Sequence, residues 1–192
     1  MSNADATQTR ILETAWRLAR REGLSAVTVG EIAKAAGVSR QLVYNHFANR
    51  AGLLVAMTRH QDARSGFRER ALATRELPPR EALAALLRAW ASYLPEILPI
   101  ASALEAAVIT GDDGAEAWRD RMGELHDAFG VAARRLAAAG ELAPDWTPDA
   151  AADWAWARSQ PSNWRHLVDE RGWAAADYVD RAVDSILGEI TR

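Results

Sequence analysis

The sequence predicts an all-α protein, and three observations carry that reading. Alanine, leucine, glutamate and arginine dominate the 192 residues, no β-branched run alternates with polar residues, and apolar positions recur at intervals of three and four. Taken in order, residues 7 to 21 form the first expected helix, with Ile11, Ala15 and Leu18 on one face and Gly23 as its stop signal. Thr28-Val-Gly-Glu31 has the pattern of a capping box and starts a short second helix that ends at Gly37. Ser39 caps a third helix. Asn49 caps a fourth, running through Leu53, Leu54 and Met57 toward Thr74, until Leu-Pro-Pro-Arg at 77 to 80 breaks the pattern.

Beyond that break, residues 81 to 94 place Leu83, Leu87, Trp90 and Leu94 at helical spacing. Pro95 and Pro99 are expected to interrupt before a further helix leads to Gly-Asp-Asp-Gly at 111 to 114. That loop lacks the alternating ligands of a calcium site. Residues 115 to 139 put Trp118, Met122, Leu125, Phe129 and Leu136 on one stripe, and Gly140 ends them. Thr147-Pro148 opens the next helix, Pro161 kinks or divides it, and Gly172 closes it, leaving residues 173 to 190 as the last helix.

Composition narrows the function. With no cysteine, disulfides, thiol nucleophiles and thiolate metal sites are excluded. The longest run without a charge is nine residues, 41 to 49, against the roughly 18 that span a bilayer. The start, MSNADATQTR, lacks the apolar core of a signal peptide, so a cytoplasmic protein is expected, with no membrane partner. Charge is divided unevenly: residues 1 to 75 carry a net +6 and residues 76 to 192 a net −9. A basic front end suits an anionic polymer, and an acidic remainder does not.

The basic end contains the informative stretch, AAGVSRQLVYNHFANR at 35 to 50. Two short helices joined by Gly37-Val38-Ser39 fit a helix-turn-helix, whose second helix lies in the DNA major groove. If Val43 and Phe47 face the core with Val38, then at about 100° per residue Gln41 and Asn45 point away from it, flanked by Leu42 and Tyr44. Glutamine and asparagine can each bond an adenine edge in bidentate fashion. Arg40, Tyr44, His46 and Arg50 surround them as phosphate or base donors. Leu42 is equally well a surface leucine or a contact to a thymine methyl.

These residues resemble the TetR family of bacterial transcriptional repressors. The match lies in Ile32-Ala33, Ala36-Gly37-Val38-Ser39, Tyr44, His46-Phe47 and Leu53, with Arg50 where the family usually has lysine, and it covers about residues 8 to 55. The resemblance implies phosphate contacts from Tyr44, His46 and Arg50, with Thr28 near the start of the second helix, and Ser39 belongs to the same DNA-facing set. Gly30 stands where some relatives have a base-reading side chain; it either allows close backbone approach or has no role. Gln41 replaces a small residue and adds a reading group. The implied architecture is a three-helix helix-turn-helix DNA-binding domain, residues 1 to 49, followed by a helical ligand-binding and dimerisation domain, residues 50 to 192.

Seven of the eight tryptophans lie after residue 89. Each can be core, or part of an inducer cavity of the kind the family encloses. The candidate lining is Trp90, Tyr93, Trp118, Met122, His126, Phe129, Trp156 and Asn163, apolar apart from a few placed polar groups. A flat neutral or weakly cationic inducer is expected, because those stripes carry no Arg or Lys to neutralise an anion. The family's last two helices pair with their copies, and Pro161, Trp164, Leu167, Val168, Tyr178, Val179, Ala182, Val183, Ile186 and Leu187 have suitable spacing for a homodimer. The four histidines show no ligand spacing, so neither enzyme activity nor a metal or other cofactor is expected. The expectation is a ligand-responsive repressor; the alternative is a helical adaptor or ligand-sequestering protein that does not bind DNA.

Overall fold

A computed structural model describes residues 3 to 192. They form ten α-helices: α1 (Asn3–Glu22), α2 (Val29–Ala36), α3 (Arg40–His46), α4 (Arg50–Arg64), α5 (Phe67–Ala73), α6 (Pro79–Thr110), α7 (Gly114–Ala138), α8 (Pro148–Arg158), α9 (Pro161–Trp164) and α10 (Ala175–Ile190). A 3₁₀ turn, Leu24–Ala26, precedes α2, and a π-type turn, Arg165–Glu170, follows α9. Among the described residues there is no strand. An isolated antiparallel bridge joins Leu142 to Thr191, with Ala143 N–H donating to the Ile190 carbonyl at 3.0 Å.

The first compact unit takes the chain to Arg64 together with Pro99–Arg121. Its core buries Ile11, Leu12 and Ala15 of α1, Ile32 of α2, Val43 of α3, Leu53, Leu54 and Met57 of α4, and Ile100, Leu104 and Ala117 of the later segment. The boundary expected at residue 49 therefore separates helices that share one core. The physical reason is size: one long and two short helices bury little apolar surface by themselves, and α4 with residues 99 to 121 adds to it.

The second unit comprises Ser65–Leu98 and Met122–Arg192. Leu83, Leu87, Tyr93, Leu94, Phe129, Leu136, Val183 and Ile186 are buried within it. Arg80 closes the chain's end by donating to the Thr191 hydroxyl and the Arg192 carbonyl, and Arg135 donates to the Leu77 carbonyl at 2.6 Å.

Several helix boundaries differ from the sequence reading, among them the start of α1, at Asn3 rather than residue 7. α4 ends at Arg64 rather than near Thr74, because Gly66 takes a left-handed φ of 70° and a new helix begins at Phe67. The Ser65-Gly66 pair was a turn signal within the helical pattern. Pro95 and Pro99 do not interrupt α6, which runs unbroken for 32 residues. An interior proline costs about 3 kcal/mol in a helix, and here burial of Tyr93, Leu94, Ile100, Ala101 and Leu104 on either side offsets it. The last helix begins at Ala175, two residues later than expected.

By length and composition α6 could cross a bilayer. Its apolar residues are instead covered by protein at Leu83, Leu86, Leu87, Trp90, Tyr93, Leu94, Ile100 and Leu104, and its Arg88 pairs with Asp180.

Candidate nucleic-acid interface and candidate ligand residues

The helix-turn-helix is built by its caps. Thr28 Oγ1 accepts the Glu31 N–H at 3.2 Å, Ser39 Oγ accepts the Leu42 N–H at 3.1 Å, and Asn49 Oδ1 accepts the Gly52 N–H at 2.8 Å. Between α2 and α3, Gly37 adopts φ 66°, a left-handed C-cap that a side chain would strain. Capping uses only the acceptor side of Thr28 and Ser39, so both hydroxyls keep a hydrogen to donate outward.

On α3 the expected geometry is present. Val43 is fully buried and Phe47 nearly so, while Gln41, Tyr44 and Asn45 are exposed, Tyr44 to 50%. Gln41 Nε2 donates to Asn45 Oδ1 at 3.1 Å, so the two amides present a linked edge to solvent. Leu42 and His46 are half-buried beside them, the His46 ring 6.1 Å from that of Phe47. Arg40 lies across α2: a Cβ on Gly30 would stand 2.8 Å from Arg40 Nη2 and 3.1 Å from its Cζ. Gly30 thus makes room for a guanidinium, which the sequence alone did not show.

Arg50 departs from expectation. It does not join the outward donors: its side chain is only 19% exposed, with Nε donating to the Val27 carbonyl at 2.9 Å, Nη2 to the Leu24 carbonyl at 3.1 Å and Nη1 to Asp112 Oδ1 at 2.9 Å. Further along α4, Arg59 pairs with Asp120 and Asp62 with Arg121, and Arg64 reaches Glu13 of α1. Spacing could not reveal these partners, since most lie some 50 to 60 residues away in the chain.

The candidate ligand residues do not share one place. Trp118 belongs to the first unit, packed against its core. In the second unit, Trp90 and Tyr93 meet Phe67, which the sequence reading missed; the Phe67 and Tyr93 rings stack at 5.1 Å and Trp90 stands edge-on to Phe67 at 5.6 Å. Trp90 Nε1 donates to the Ser159 carbonyl at 2.7 Å. Met122, His126 and Trp156 also come together: Trp156 Nε1 donates to the Met122 carbonyl at 2.9 Å, the His126 and Trp156 rings are edge-to-face at 6.2 Å, and His126 Nε2 lies 2.8 Å from Asp153 Oδ1. Phe129 is buried. Asn163 is a local device, its Nδ2 donating to the Arg158 carbonyl at 2.9 Å across the α8–α9 turn.

Part of the expected dimer face is buried within the chain itself. Pro161, Trp164, Tyr178, Val183, Ile186 and Leu187 are buried, and Trp164 and Tyr178 contact each other edge-on at 5.1 Å. Leu167, Val168, Val179 and Ala182 remain half-buried. Among the described residues no group of three or more His, Asp or Glu is placed to hold a metal ion.

Residues 11–57 match the family described as bacterial regulatory proteins, tetR family. The HTH-type transcriptional regulator AcrR of Shigella flexneri is 46% identical over 50 residues, which are 26% of this chain and 23% of that protein. This chain therefore matches under a quarter of that curated relative's length. Likeness of fold extends over the whole chain. A candidate TetR-family regulator from Rhodococcus sp. has a TM-score of 0.77 at 21% identity, covering 95% of this chain and 97% of that one. A candidate regulator from Saccharomonospora viridis, solved with choline, has a TM-score of 0.75 at 20% identity over 98% and 99%. NalD of Pseudomonas aeruginosa, the secondary repressor of the MexAB-OprM efflux pump, has a TM-score of 0.69 at 22% identity over 99% of both chains.

Proposed function

We propose that this chain, whose residues 11–57 match the tetR family of bacterial regulatory proteins, is a cytoplasmic transcriptional repressor of that family that binds a palindromic operator as a homodimer. The observation that carries the reading is the outward face of α3, where Gln41, Tyr44 and Asn45 stand exposed over a buried Val43. Amides so placed can exchange their mutual hydrogen bond for the donor and acceptor pair of an adenine. Thr28, Ser39, Arg40, Tyr44 and His46 supply the surrounding donors to phosphate. A mobility-shift titration with duplexes from the DNA upstream of its own gene tests this directly. A shift that survives excess random duplex supports it, and equal binding to every duplex defeats it.

One recognition helix reads too few bases for specificity, and a two-fold pair reads two half-sites. The half-buried Leu167, Val168, Val179 and Ala182 are the groups left for that pairing. The double variant Val179→Asp/Ala182→Asp is expected to sediment as a folded monomer and to lose operator binding; an intact dimer would move the interface elsewhere.

Release follows from differential affinity: an inducer that prefers the protein conformation with wrongly spaced α3 helices lowers operator occupancy in proportion to that preference. The second unit's aromatic residues favour a small, mostly apolar, neutral or cationic inducer. The choline held by the Saccharomonospora viridis protein is consistent with that class. Titrating quaternary ammonium and flat aromatic compounds should quench tryptophan emission and release DNA over one concentration range, and Phe129→Ala should weaken both responses together. Release by multiply charged anions alone would refute the ligand class and leave the DNA reading intact.

A further inference from the structure

Arg50 is the first residue of α4, the end of a helix at which the macrodipole disfavours a cation. Its charge is nevertheless answered from three directions. Two of its nitrogens donate to the carbonyls of Leu24 and Val27, at 3.1 and 2.9 Å, in the segment that leads directly into Thr28, the cap of α2. The third donates to Asp112 in the loop between α6 and α7, at 2.9 Å, with Asp113 Oδ2 at 3.7 Å. Asp112 Oδ1 also accepts the Gly114 N–H at 3.0 Å, so one oxygen fixes both the loop and the guanidinium. These two hydrogen bonds hold the Asp112 carboxyl below the ordinary carboxylate range. Packing joins the same parts independently. A Cβ on Gly114 would stand 3.0 Å from Leu24 Cδ2 and 3.0 Å from Ala107 Cβ, so the loop sits close against the turn before α2 and a methyl group there would have to push its neighbours aside.

We infer that Arg50 and Asp112 are positioning residues for DNA binding, which clamp the loop at 111 to 114 and the start of α4 to the segment entering α2 and thereby hold the helix-turn-helix in its reading geometry. The inference rests on the DNA-binding reading above. It gives Asp112 an effect opposite in sign to its charge. An acid that acted on DNA only through its charge would repel it, and its removal would strengthen binding. An acid that holds the clamp supports operator binding, and its removal weakens it. It also separates Arg50 from a phosphate contact, because losing such a contact lowers the slope of log affinity against log salt by about one, whereas losing a clamp leaves that slope unchanged.

The test uses the full-length protein and a duplex that the wild type selects from a random pool. Arg50→Ala and Asp112→Ala are each expected to weaken binding to that duplex on the order of tenfold, as expected for loss of a charge-assisted hydrogen bond, with the salt slope unchanged. The double variant should be little worse than either single one. Arg50→Lys, which keeps the charge but cannot reach three acceptors, should fail to restore binding. Asp112→Ala leaves Arg50 in place and covers the case in which Arg50→Ala does not fold. The inference is overturned if Arg50→Lys binds as wild type, if Arg50→Ala lowers the salt slope by about one charge, or if Asp112→Ala binds as tightly as wild type or tighter. A wild type that selects no duplex would overturn the DNA-binding reading itself, an outcome distinct from all of these.

Discussion

The face of α3 and the aromatic interior of the second unit treat their polar groups in opposite ways. On α3, Gln41 and Asn45 are exposed and bond each other, and Tyr44 is half in solvent. In the second unit, the indole N–H groups of Trp90 and Trp156 are bonded to the Ser159 and Met122 carbonyls. Polar groups paired at a solvated surface can exchange partners at little cost, whereas a buried donor that loses its carbonyl leaves an unsatisfied group behind. The first arrangement suits reading an external edge. The second leaves the Trp90 and Trp156 N–H groups already occupied, so those two indoles would offer a bound molecule only their ring faces.

The largest expected effect probes how completely the second unit is closed. Ile186, spaced as a dimer contact in the sequence, is 1% exposed in the single chain. Ile186→Asp should therefore destabilise the fold by about 4 kcal/mol or more, through an unpaired buried charge. Loss of the cooperative thermal transition in circular dichroism is the expected result; a folded monomer would return Ile186 to the interface. Next, Gln41→Ala and Asn45→Ala should each weaken the operator by roughly 1–3 kcal/mol, with melting temperature and random-duplex binding nearly unchanged. Equal losses on both DNAs would mean that the amides do not read sequence.

Trp90→Phe sharpens the other side of the comparison. It keeps an aromatic ring but leaves the Ser159 carbonyl without its donor, and should cost about 1–3 kcal/mol in urea denaturation. No loss of stability would show that the indole N–H is free for a ligand. A smaller change is expected for Gly30→Ala, which should stabilise α2 by about 1 kcal/mol, since the atoms in its way are the mobile tip of Arg40. Operator affinity should fall as that guanidinium is displaced; an unchanged affinity would remove Arg40 from the interface.

The smallest effect is one of pH. Burial, reinforced by Arg64 and opposed by Glu13, holds His60 below its ordinary 6.5, and its Nε2 is buried with no hydrogen-bond partner among the described residues. The unfolded chain thus takes up a proton first as pH falls through 6.5. Stability from this group is full above that value and is lost as pH drops toward the folded-state value. His60→Gln should flatten the dependence of melting temperature on pH between about 7 and 5.

What the sequence determined by itself is local. The caps at Thr28, Ser39, Asn49 and Thr147 form where their side chains can reach a backbone N–H three residues on, and Gly37 and Gly140 take the positive φ that only glycine adopts freely. The two faces of α3 follow from helical periodicity alone, so Val43 inward and Gln41 and Asn45 outward could be read from spacing. The tertiary structure decided what depends on distant partners. It carried α6 through Pro95 and Pro99, because burial on both sides outweighs two missing hydrogen bonds. It placed Ile186 in the core and Trp118 in the first unit. It also turned Arg50 toward Leu24, Val27 and Asp112, the last of them 62 residues away along the chain. Side chains within one helical turn find each other by geometry that the chain repeats everywhere, while a guanidinium chooses among acceptors that only the folded packing brings within hydrogen-bond reach.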